Sequence, residues 1–129
     1  MSAPENRKYT KTHEWVQVDG DVVTVGVTDR AQEELGDITY LELPETGDAL
    51  TAGEAFGVVE SVKAASDIYS PVDGEVVDRN SDLVDAPEMI NQSPFDKAWL
   101  IKVKIADPSQ IDALLSPAEY DEFAGEATH

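Results

Sequence analysis

The chain has 129 residues, with nine basic side chains against 27 acidic ones and a formal net charge of −18, a balance that repels nucleic acid and anionic membranes. It contains no cysteine, which excludes a disulfide framework, a cysteine-based zinc site and a cysteine nucleophile. Its length suits one domain over residues 1–129, able to bury roughly two-thirds of the surface its unfolded form exposes, and no apolar run is long enough to span a membrane.

Residues 1–7 are expected to be a loose terminus. Tyr9 to Val18 leads into the alternating segment Glu14-Trp15-Val16-Gln17-Val18. Asp19-Gly20-Asp21 is a turn signal. Val22 to Val27 then places the valines at 23, 25 and 27 on one face, so the two segments read as a hairpin. Thr28 to Gly36 reads as a short helix, with Asp29 as cap, Gln32 completing a capping box and Gly36 at the stop. Ile38 to Leu43 alternates again and ends at Pro44, and Glu45-Thr46-Gly47-Asp48 is a turn.

Phe56-Gly57-Val58-Val59-Glu60 is strand-like. Ser61-Val62-Lys63-Ala64-Ala65 follows without Gly or Pro, and Asp67-Ile68-Tyr69-Ser70 is a second strand-like piece closed by Pro71. Lys63 therefore falls at the tip of an expected hairpin. Val72 to Val77 turns into another strand. Asn80 to Phe95 reads as loop, with Pro87 and Pro94, and Ala98 to Ile105 as a final strand. Asp107-Pro108-Ser109-Gln110 and Ser116-Pro117-Ala118-Glu119 are helix-start signatures, and 125–129 reads as a loose end. Many short strands with short helices imply a mainly β fold, a small barrel or sandwich with helical appendages.

Enzyme chemistry is sparse. There is no G-x-S-x-G elbow and no Gly-rich phosphate loop. Only His13 and His129 are histidines, too few for a typical histidine-rich metal site, and His13 reads as an ordinary surface or core-edge residue. Trp15 and Trp99 read as core or core-edge packing in strand-like contexts. Met1-Ser2-Ala3-Pro4-Glu5 lacks the charged and apolar regions of a signal peptide, so the sequence reads as cytoplasmic. The acids spread from Glu5 to Glu126. That spread favours salt adaptation over a single acidic docking face, and 41% hydrophobic content argues against disorder. Thermal melts are then expected to rise from low to molar salt as self-repulsion is screened. Flat or falling melts contradict this reading.

The distinctive residue is Lys63. A lysine at a hairpin tip is solvated and reachable, and acylation would turn it into a long uncharged tether. Spacing alone does not separate it from the other five lysines. The run Phe56 to Val76, centred on Glu60-Ser61-Val62-Lys63-Ala64-Ala65-Ser66-Asp67, closely resembles the lipoyl-lysine region of the glycine cleavage system H protein family. Tyr9-Thr10-Lys11-Thr12-His13-Glu14-Trp15-Val16 resembles that family's N-terminal signature. Val25-Gly26-Val27-Thr28, Ala31-Gln32, Leu35-Gly36-Asp37, Leu43-Pro44 with Gly47, Met89-Ile90-Asn91 with Ser93-Pro94-Phe95, and Trp99 with Lys102 follow in the same register, over roughly residues 8 to 123.

The resemblance implies a lipoyl-domain barrel-sandwich hybrid, with a short helix after the first hairpin and short C-terminal helices. It implies lipoate amide-linked to Lys63. Val62 and Ala64 stand where biotin carriers have methionines. It implies that Glu60, Gly74 and Gly47 help the lipoate-attaching enzyme. The Gly74 of Asp73-Gly74 also suits a turn. The implied partners are glycine decarboxylase, aminomethyltransferase and dihydrolipoyl dehydrogenase, visited by a monomeric carrier that is not itself an enzyme. The loaded arm would fold back into a cleft lined by Glu14, Asp67 and Glu34. The family frequently has histidine where this chain has Arg30, and position 34 varies. Two alternatives stay open: an H-like protein relaying lipoate to other complexes, and an unmodified acidic docking protein.

Overall fold

The computed structural model describes residues 7–93, 97–107 and 109–127, the side chains of 29, 30 and 123–127 excepted. The described elements run β1 (Lys8–Tyr9), β2 (Glu14–Asp19), β3 (Val22–Val27), α1 (Asp29–Leu35), β4 (Ile38–Glu42), β5 (Ala49–Leu50), β6 (Ala55–Ser61), β7 (Ala65–Tyr69) and β8 (Gly74–Arg79). They continue with α2 (Ser81–Asp85), α3 (Met89–Gln92), β9 (Ile101–Ile105), α4 (Ser109–Asp112) and α5 (Pro117–Ala127). A six-stranded sheet has the order β1-β2-β3-β9-β8-β5, and a three-stranded sheet has the order β4-β6-β7. Every pairing is antiparallel.

The valine alternation builds the core. Val23, Val25 and Val27 are buried in β3, beside Val16 of β2 and Ile101 and Val103 of β9. Leu41, Val59 and Ile68 meet them from the three-stranded sheet, so both sheets share one hydrophobic core. Each such side chain contributes about 1.5–3 kcal/mol on burial. Tyr9, Trp15 and Tyr120 form a second, smaller cluster with Trp99 packed against it. Both tryptophans are thus packing residues, and the mainly β reading holds.

Several local expectations change. The α1 cap is Thr28, not Asp29: its Oγ1 accepts the Ala31 N–H at 3.3 Å. Thr28 is fully buried and also hydrogen-bonds the Tyr120 hydroxyl at 2.7 Å, which favours it over its neighbour. Gln32 closes no box and instead accepts from Asn91. The expected loop after Asn80 holds α2 and α3. Neither has a side-chain cap, and buried Leu83 and Ile90 hold them by packing. β9 begins at Ile101, not Ala98. At the C-terminus Ser116 and Glu119 form the expected reciprocal capping box. Gln110 instead accepts the Asp73 N–H at 2.7 Å, leaving Asp107 to bond Ser109. Pro94, Phe95, Pro108 and His129 lie outside the described residues, as do 1–6 of the expected loose start, while α5 carries the chain to Ala127.

Candidate functional site

Strands β6 and β7 form a hairpin, with Glu60 opposite Ala65 and Val58 opposite Asp67. Its tip is Ser61-Val62-Lys63-Ala64. The Ser61 N–H donates to the Ala64 carbonyl at 2.7 Å. Ser61 Oγ accepts the N–H groups of Lys63 and Ala64 at 3.3 and 3.1 Å. Two-residue hairpin loops usually need positive φ, but among the described non-glycine residues only His13 has it. The serine side chain here supplies the order that a glycine turn would supply by backbone alone. A further tie anchors the tip, because the Val62 N–H donates to the Asp37 carbonyl at 3.3 Å. Lys63 is exposed at this apex, and Val62 is 75% exposed beside it.

Glu60 is half-buried on β6 next to the turn, between Tyr40 and Ala65 on the neighbouring strands. Gly47 and Gly74 belong with β8, in the other sheet. The Gly47 turn needs its positive φ of 98°, and its N–H bonds the Val76 carbonyl at 2.7 Å. Gly74 opens β8 opposite Leu50 and Ile105. A Cβ on it would lie 2.3 Å from the Lys104 carbonyl oxygen.

Glu14 is 2% exposed, on the wall of a cavity of about 320 Å³ shared with Thr10, Thr12, Tyr69 and Leu114. Its carboxylate accepts from the Thr10 hydroxyl at 2.6 Å, from the Thr12 hydroxyl, and from the Tyr69 N–H at 3.3 Å. Burial pushes its pKa above the ordinary 4.5, and these donors oppose the rise. The donors were not anticipated, although Thr10, Thr12 and Glu14 sit at alternate positions in the sequence. The 10–13 turn that carries them is pinned through His13, whose Nδ1 hydrogen-bonds the Tyr120 hydroxyl at 2.7 Å.

The three acids expected around one cleft are not gathered there. Asp67 is exposed on β7, between the Lys63 turn and Tyr69, and lines a different hollow of about 490 Å³ with Glu42, Glu45 and Asp48. Glu34 is exposed on α1, near Gly36. Among the described residues no group of three or more His, Asp or Glu side chains is placed to hold a metal ion. No helix there is long and apolar enough to cross a membrane.

The chain is similar to known proteins in both sequence and fold. The family model described as glycine cleavage H-protein matches residues 7–127. A glycine cleavage system H protein of Staphylococcus carnosus is 56% identical over 126 residues, covering 98% of this chain and all of the relative. One from Staphylococcus haemolyticus is 52% identical with the same coverage. The crystal structure of a glycine cleavage system H protein from Mycobacterium marinum superposes with a TM-score of 0.86 at 37% identity, over 98% of this chain and 100% of that one. With the family model spanning residues 7–127 and relatives more than half identical along nearly the whole length, the chain belongs to the glycine cleavage H-protein family.

Proposed function

We propose that Lys63 is the lipoate attachment point and that the chain is the lipoyl carrier of a glycine cleavage system, presented to enzymes and not itself a catalyst. The observation that carries this reading is the exposed Lys63 amine on a turn fixed by Ser61 and the Asp37 carbonyl. An attaching enzyme needs such an accessible amine on a defined backbone. When bound, the lipoyl dithiolane supplies a sulfur that accepts the aminomethyl group from glycine and a dithiol that is afterwards reoxidised. The partners are then glycine decarboxylase, aminomethyltransferase and dihydrolipoyl dehydrogenase, meeting a monomer in the cytoplasm. Glu60 adjoins the turn and is the residue the attaching enzyme reads. Gly47 and Gly74 contribute by building β8. A purified-component glycine–bicarbonate exchange assay tests the whole reading: exchange should depend on the lipoylated protein, and its absence contradicts the carrier role.

Ala65 to Tyr69 rises about 13 Å along β7, and an arm of about a dozen bonds beyond the Lys63 Cα has a similar reach. The cavity at the Tyr69 end holds the Glu14 carboxylate. A buried carboxylate whose donors are two neutral hydroxyls and a backbone N–H suits a primary ammonium as its counter-charge. Asp67 is on β7 between Lys63 and Tyr69 but lines a different hollow, and Glu34 is exposed on α1, two residues before Gly36.

Glu14 gives a pH prediction. Its folded pKa is raised, so its contribution to stability is full below the ordinary 4.5 and is lost as pH rises through the folded value. In the unloaded protein Glu14→Gln should therefore gain on wild type in thermal melts as pH goes from about 4 to neutral. It should also shorten the lifetime of the amine-loaded arm. A wild-type advantage that appears only at neutral pH would contradict the assignment.

A further inference from the structure

Asn91 makes three hydrogen bonds from one side chain. Its Nδ2 donates to the Gly36 carbonyl at 2.8 Å and to Gln32 Oε1 at 2.9 Å. Its Oδ1 accepts the Ile38 N–H at 2.9 Å. The Gly36 carbonyl can only accept and the Ile38 N–H can only donate, so one amide orientation satisfies them all. The side chain thus brackets Asp37 on both sides, from a one-turn helix whose Ile90 is fully buried.

The bracketed segment is where the lysine turn rests. The Asp37 carbonyl takes the Val62 N–H. Gly36 lies against the lysine stem, since a Cβ built on it would be 3.4 Å from Lys63 Cε. A continuous chain of contacts therefore runs from the core through Ile90 and Asn91 to residues 36–38 and on to the hairpin apex. Without it, the apex would be held only by its own hydrogen bonds in a loop lacking the usual positive-φ residues.

We propose that Asn91 is a positioning residue for the modification of Lys63, bracing the 36–38 segment so that the amine is presented in the geometry the attaching enzyme requires. The inference rests on Lys63 being the lipoylated residue. The step itself is acyl transfer. The Lys63 amine attacks the carbonyl of a lipoyl adenylate, the amide bond forms, AMP leaves and the nitrogen loses its proton. A small displacement of the amine slows such a step in an enzyme site. A small acylating reagent needs only exposure.

The test uses the full-length apo-protein, a purified lipoate-attaching enzyme and lipoyl adenylate. Asn91→Asp keeps the acceptor for Ile38 and sets an oxygen against the Gly36 carbonyl. The expected result is a fall of about tenfold or more in enzymatic kcat/KM. Acylation of Lys63 by an N-hydroxysuccinimide ester should stay at the wild-type rate. Val23→Ala, in the other sheet, serves as the destabilised control and should keep the wild-type enzymatic rate once corrected for folded fraction. An unchanged enzymatic rate in Asn91→Asp overturns the proposal. So does an equal loss in Val23→Ala, or a parallel loss with the small reagent. Failure of the wild-type protein to be lipoylated at Lys63 would instead overturn the reading on which the proposal rests.

Discussion

Lys63→Arg is expected to abolish lipoyl loading and carrier turnover completely while leaving the fold intact. Arginine keeps the positive charge and a long stem at an exposed apex, where substitutions usually change stability by less than about 0.5 kcal/mol. It also keeps a cation beside the C-terminal end of α1, near Gly36. What it lacks is a nitrogen that loses its proton, because guanidinium stays charged in proteins. It therefore cannot attack an acyl donor. Glycine–bicarbonate exchange in a reconstituted system measures the loss, and a thermal melt checks the fold. A protein that merely docked through its acidic surface would be almost unaffected by this change.

Gly74→Ala should have the largest effect on stability. A Cβ at this position meets the Lys104 carbonyl oxygen at 2.3 Å and Val103 Cγ1 at 2.6 Å. The obstructing oxygen is backbone of the neighbouring strand β9, so it cannot rotate away as a side chain would. The expected cost is about 3 kcal/mol, the upper end of overpacking, or a Tm lower by on the order of 10 °C for a chain of this size. Gly47→Ala faces open space and should cost about 1 kcal/mol through its backbone angle alone. Lipoylation of Gly74→Ala should fall only in proportion to the folded fraction. Folded Gly74→Ala that resists lipoylation would mean the attaching enzyme reads this glycine directly.

Much of this molecule is legible from its sequence because its strands carry their own pattern. The valines at 23, 25 and 27 and the Asp19-Gly20-Asp21 turn suffice for the β2–β3 hairpin. The lysine hairpin is legible as two strand-like runs with a break between them. The reason its tip is ordered is not. That depends on the Asp37 carbonyl, far away in sequence, and on the Ser61 hydroxyl, which carries no fixed signature. Helices α2 and α3 escape sequence reading for a related reason. They are single turns held by Leu83 and Ile90 in a tertiary core, and no capping side chain announces them. The α1 cap shows the same limit. Thr28 and Asp29 are both good capping residues, and Tyr120, near the other end of the chain, favours the first.

The cleft divides in the same way. Glu14 is identifiable from the N-terminal signature, but its donors come from Thr10, Thr12 and the backbone of β7. Asp67 and Tyr69 are two apart on β7, a spacing that puts both on one face of the strand, yet Asp67 lines a hollow with Glu42, Glu45 and Asp48 while Tyr69 lines the Glu14 cavity. In so acidic a chain, sequence alone does not say which acids converge. Only the fold separates a buried, triply bonded carboxylate from exposed ones.

A carrier role for this protein requires covalent occupancy of Lys63. Intact-mass analysis of protein made in a lipoate-replete host, followed by peptide sequencing, measures it directly. The expected result is a single lipoyl adduct, on the peptide containing Lys63 and on that lysine. Absence of the adduct, or its location on any of the other five lysines, would contradict it.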